Sequence, residues 1–185
     1  MELLFSNNVL SAFLVEIVRS FEKNVPAYYL GRTATQKLAY FSKVIGVPIP
    51  CSFEIYNYGP YADEITFAVD SLLADEVLKD ISPNSHKYSN YRLIDKSIQF
   101  GPEIRKQVQP HLERIERVVS TLGNVEPPKL ELLATVHFIA KKIQSLGGDP
   151  TKEAVMADFF TVKGQKFPSE EVSSCFEALK AAKLF

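Results

Sequence analysis

Apolar residues recur at helical spacing along most of this chain. Val9, Leu10, Phe13, Leu14, Ile17, Val18 and Phe21 form one stripe, which predicts a first helix from about Ser6 to Phe21. Ser6 or Asn7 is placed to cap it, because either side chain accepts a bond from an amide that otherwise has no partner. Leu38, Phe41 and Ile45 predict a second helix from near Thr33. Gly46-Val47-Pro48-Ile49-Pro50 stops it, since proline cannot donate into the ladder and glycine relaxes the exit. Ser52 to Tyr58 alternates with period two and is rich in aromatics, so it reads as a short strand or extended segment. Gly59-Pro60 breaks that segment, and Pro60 suits the first turn of a third helix. The buried face of that helix would be Tyr61, Ile65, Ala68, Val69, Leu72 and Leu73.

Val77–Ile81 and Tyr91–Ile94 read as two strands of a hairpin, joined by a polar loop that holds His86. Three helices followed by a hairpin is the winged-helix order. Helical spacing resumes over Pro102 to Leu122, with a break expected at Pro110. Asn124-Val125-Glu126-Pro127-Pro128 reads as a stiff connector. Helices are then expected over Leu130–Leu146, around Val155–Phe160, and after Ser169, with Asp149 or Thr151 capping the middle one and Ser169 the last. The expected fold is mainly α with a small antiparallel hairpin. A winged-helix-like lobe would span residues 1–98 and a helical lobe residues 99–185, with a second turn-helix unit, the two forming one compact unit.

Composition narrows the class. Of 185 residues, 46% are hydrophobic and 23% charged, which excludes wholesale disorder, collagen and coiled coil. The net charge of −1 argues against general nucleic-acid binding. Residues 51–100 are acidic. Asp63, Glu64, Asp70, Asp75 and Glu76 lie where a winged-helix repressor would meet phosphates, and like charges repel. Cys51 and Cys175 form no C-x-x-C pair, as expected in a reducing cytosol. No basic leader precedes an apolar run, and no run approaches the ~20 residues that span a bilayer. The expectation is a cytoplasmic protein without a membrane partner.

The chemistry-bearing residues are scattered. His86, His111 and His137 are not at metal-ligand spacing, and His137 reads as a satisfied interior histidine. No nucleophile motif, P-loop or dinucleotide fingerprint occurs, so neither an enzyme nor a cofactor is expected. Lys163 and Lys166 sit in the turn of the second turn-helix pair, but the following helix starts acidic, at Glu170 and Glu171. The tyrosines, in contrast, cluster. All eight fall in the first 91 residues. Tyrosine goes where one end stays wet or finds a partner, and half-exposed tyrosines anchor protein interfaces. The set reads either as rim-of-core packing or as an interaction surface.

Two segments carry a resemblance. Gly31-Arg32-Thr33-Ala34-Thr35-Gln36-Lys37-Leu38-Ala39-Tyr40-Phe41 and Phe53-Glu54-Ile55-Tyr56-Asn57-Tyr58-Gly59-Pro60-Tyr61 look like the YwgA-like family of uncharacterised bacterial and archaeal proteins. More distantly they are similar to the Panacea domain of many antitoxins, with its Q-K-L-x-Y-F helix and downstream Y-G-P. The first resemblance extends through Leu130–Phe138 and Lys163–Leu179 and implies no reaction. The second covers about residues 33–75 and implies a module that grips partner proteins, as an antitoxin or an adaptor.

Read physically, Lys37 and Phe41 share a helix face, so the Lys37 stem can cover a ring and place its ammonium near Tyr58 or Glu64. Gln36, Phe41, Gly59 and Pro60 are then a structural motif, with Gly59 allowing a backbone angle closed to other residues. Lys37, Tyr40, Tyr56, Tyr58 and Tyr61 are the candidate partner-binding residues. The expected function is a non-enzymatic protein-interaction module, antitoxin- or adaptor-like. The alternative is a winged-helix DNA-binding regulator.

Overall fold

Asn8 opens the first helix, α1 (Val9–Asn24), by accepting the Ser11 amide at 2.9 Å. Neither Ser6 nor Asn7 caps it. Ser6 belongs to an incoming segment held by Asp75, whose carboxylate takes the amides of Leu4, Phe5 and Ser6 and the Ser6 hydroxyl at 2.7–3.2 Å. Burial pushes that carboxyl up, but these bonds outweigh it and hold it below the usual carboxylate range. The computed structural model describes residues 3–82 and 88–185. The expected His86 loop falls largely outside the described residues. The chain forms two compact units, one from residues up to Phe53 together with Ala62–Val125, the other from Glu54–Tyr61 together with Glu126–Phe185.

The first unit continues with α2 (Arg32–Val44), α3 (Asp63–Ala74), the antiparallel pair β3 (Leu78–Asp80) and β4 (Tyr91–Leu93), α4 (Pro102–Val108), a 3₁₀ turn (Gln109–His111) and α5 (Leu112–Leu122). Its core is built on α1. Phe13, Leu14, Ile17 and Phe21 are wholly buried, and α2, α3, α4, α5 and β4 pack around the helix. The break expected at Pro110 is the 3₁₀ turn. The lobe boundary expected at 98/99 lies instead at 125/126. Ile115, Val118 and Val119 give α5 an apolar stripe that α1 covers, so this stretch joins the first unit.

The second unit contains β1 (Glu54–Tyr56), β2 (Gly59–Tyr61), α6 (Pro127–Ser145), α7 (Lys152–Lys163) and α8 (Ser169–Ala181). Pro127 and Pro128, expected in a connector, form the first turn of α6, where a missing N–H costs no bond. Thr151 caps α7 by accepting the Ala154 amide at 3.2 Å. Pro168, not Ser169, stands at the cap of α8. Val136, Phe159, Val172 and Phe176 fill the core between the three helices. The fold is mainly α with two small antiparallel pairs. Among the described residues, no helix is long and apolar enough to cross a membrane.

Candidate functional site

The segment expected to break at Gly59-Pro60 is a hairpin. β1 and β2 pair antiparallel, with Tyr56 opposite Gly59 and Ile55 opposite Pro60, and Asn57-Tyr58 form the turn. Pro60 is therefore a strand residue, not the first turn of α3. Gly59 is needed twice over. Its φ of +85° lies in the left-handed region, and a Cβ there would stand 2.6 Å from the Thr135 hydroxyl of α6. The strand thus lies directly against the helix backbone.

A buried ion cluster holds the hairpin. Glu131, on α6, points inward between Leu130 and Leu132, and its side chain is 3% exposed. Lys163, the last residue of α7, is as deeply buried and donates to Glu131 at 2.8 Å. The same ammonium donates to the main-chain carbonyls of Asn57 at 2.6 Å and Tyr56 at 3.4 Å. Lys166 donates to both Glu131 oxygens, at 2.7 and 2.8 Å, and lies 4.8 Å from the centre of the Tyr58 ring. Burial lowers the Lys163 pKa, and Glu131 opposes that shift. With three acceptors around it, the Lys163 ammonium tethers the hairpin carbonyls.

The rings on the hairpin stay wet. Tyr58 is 63% exposed and Tyr56 51%, while Tyr61 is half-buried with its ring 5.3 Å from that of Tyr56. The other two candidate contact residues lie inside. Lys37 is 1% exposed and Tyr40 is 6%, with the Tyr40 ring edge-on to Phe41 at 5.3 Å and Phe53 at 5.1 Å. Lys37 and Tyr40 belong to the interior in this conformation, which narrows the accessible surface to Tyr56, Tyr58 and part of Tyr61. Tyrosine spacing alone does not separate these cases, because a helix face carries Tyr40 inward while a two-residue turn carries Tyr58 outward.

Gln36 acts as a main-chain mimic. Its amide NH₂ donates to the Ala62 carbonyl at 2.9 Å and its oxygen accepts the Ala62 amide at 3.0 Å. Ala62 is the residue before α3 and has no side chain able to cap it, and Gln36 takes up the Ala62 amide at the helix start. Glu64, a possible partner for Lys37, accepts the Ser52 amide at 3.1 Å.

His137, Cys51 and Cys175 are interior. His137 is buried, and its Nε2–H donates to the Leu184 carbonyl at 3.0 Å. Burial pushes its pKa down to about 4. Burial pushes the Cys51 thiol up to about 11 and the Cys175 thiol up to about 12, the reverse of an activated nucleophile. Among the described residues, no group of three or more His, Cys, Asp or Glu could hold a metal ion.

Glu131 escaped the sequence reading. The signal was present: a carboxylate inside the apolar run Leu130-Glu131-Leu132-Leu133 sits where a charge needs a partner. Lys163 and Lys166, read there as turn residues, are those partners.

No protein-family model matches this chain. Over 155 residues it is 23% identical to the uncharacterized protein YwgA of Bacillus subtilis (strain 168), covering 83% of this chain and 87% of that protein. The match supports a distant YwgA-like relationship that spans both units.

Proposed function

We propose that this chain is a non-enzymatic protein-interaction module and that the β1–β2 hairpin is its contact. The observation that carries the reading is the pairing of two exposed tyrosines with a rigid support. Tyr56 and Tyr58 stand 51% and 63% exposed on a hairpin tied by Lys163, Lys166 and Glu131. Exposed aromatic rings lose burial energy until a partner covers them, and a fixed backbone lowers the ordering cost of binding. The resemblance of residues 33–75 to the Panacea domain favours an antitoxin- or adaptor-like use. Within the first unit the elements run α1-α2-α3-β3-β4, an order that suits a winged-helix-like scaffold, and its charge disfavours DNA. Asp63, Glu64 and Asp70 are exposed on α3, where a recognition helix would meet phosphates.

The test is capture from the native cell by the wild-type chain and by Tyr56→Ala/Tyr58→Ala. A single protein retained by the first and lost by the second, with the thermal midpoint little changed, supports the reading. Unchanged capture, or a collapsed midpoint, removes it. Retention on duplex DNA that falls steeply with salt would replace it with the regulator.

A further inference from the structure

The first unit contains a half-open cleft of about 310 Å³ between α1, residues 98–100 and α4. Its floor is apolar. Ala12, Phe100 and Val108 line it at 3%, 6% and 4% exposure. Two guanidinium groups stand at the rim, and they are used differently. Arg19 is occupied, donating to the Glu16 carboxylate and, at 2.8 Å, to the Ile98 carbonyl. Among the described residues, Arg105 hydrogen-bonds only to the amide oxygen of Gln99, at 2.8 Å. Among the described residues no carboxylate lies within ion-pair distance of it.

We propose that this cleft binds a small apolar carboxylate, with the anion on Arg105 and the hydrocarbon on the floor of Ala12, Phe100 and Val108. Such a ligand complements the cleft in charge and in polarity. Two guanidiniums and one carboxylate leave the rim with one net positive charge, which suits a monoanion and repels an ammonium. A guanidinium offers five donors, and a planar carboxylate takes two of them in parallel. An apolar floor adds affinity for each methylene removed from water, so an anion without a hydrocarbon body gains little here. The cleft residues belong to the first unit and the hairpin tyrosines to the second, so failure of one proposal leaves the other standing.

Titration of the full chain with octanoate, followed by amide NMR, tests the proposal, with acetate and octylammonium as the comparison probes. Saturable shifts confined to residues 12–19 and 98–112 are expected with octanoate. Acetate should bind more than about tenfold more weakly. Arg105→Gln, at an exposed position, should weaken octanoate by about tenfold. Ala12→Leu, which fills the floor, should abolish binding; if that variant does not fold, Arg105→Gln decides alone. The proposal is overturned by the absence of saturable shifts in this region. It is equally overturned if octylammonium shifts the same amides equally well, or if Arg105→Gln binds octanoate as tightly as the wild type.

Discussion

Lys163 and Glu131 meet at 2.8 Å with 3% of each side chain exposed, and they come from different helices 32 residues apart. Two charges withdrawn from water at that depth are costly singly and tolerable together. The Lys163 ammonium also reaches the Asn57 carbonyl, so the pair fixes the turn that presents Tyr58.

Removing one charge tests this directly. Glu131→Gln leaves Lys163 buried without its counter-ion and should destabilise the protein by about 3–5 kcal/mol in denaturant unfolding. Lys166→Met should cost no more than about 1 kcal/mol, because that ammonium is 41% exposed and screened by water. Amide exchange at residues 55–59 should accelerate in Glu131→Gln. A loss below about 1 kcal/mol for Glu131→Gln would show that the cluster does not hold the hairpin.

Gly59 tests the same support from the backbone side. Gly59→Ala combines a left-handed φ, worth about 1–2 kcal/mol, with overpacking against Thr135, worth about 1–3 kcal/mol. A thermal or denaturant melt should show both, and Gly59→Ala/Thr135→Ala should recover only the overpacking share. Full recovery in the double variant would mean that φ is not strained.

His137 predicts an acid sensitivity. Its folded pKa of about 4 lies below the ordinary 6.5, so between these values the unfolded chain binds a proton that the folded chain excludes. Stability contributed by the neutral ring is complete above 6.5 and is lost as pH falls toward 4, by up to about 3 kcal/mol. The difference in unfolding free energy between wild type and His137→Gln should shrink over that window. A pH-independent difference contradicts the assignment.

The helices were legible because burial follows 3.6-residue periodicity, and α1, α3 and the 3₁₀ break near Pro110 appear where Phe13, Ile65 and Pro110 place them. The β1–β2 hairpin was half hidden. Gly59-Pro60 carries the composition of a chain breaker, and only the left-handed φ at Gly59 turns it into a strand start. The division at 125/126 falls inside the Asn124–Pro128 connector, and the expected one at 98/99 differs from it because the packing of α5 on α1 is set by folding and has no local signature. The ion cluster was invisible as a pattern, since Glu131 and Lys163 are paired by folding and not by spacing. Among the tyrosines, Tyr40 and Tyr91 proved interior and five of the eight exposed, a distinction that depends on which face each element turns inward.

The most direct measurement of the hairpin's role replaces single tyrosines with photo-reactive p-benzoylphenylalanine in the native cell. Positions 56 and 58 sit on the hairpin; position 29, where Tyr29 is 72% exposed, serves as an equally wet control in the first unit. One cross-linked protein partner is expected at 56 and 58 and none at 29. Cross-links at 29 alone, equal labelling at all three positions, or silence at both hairpin positions would contradict it.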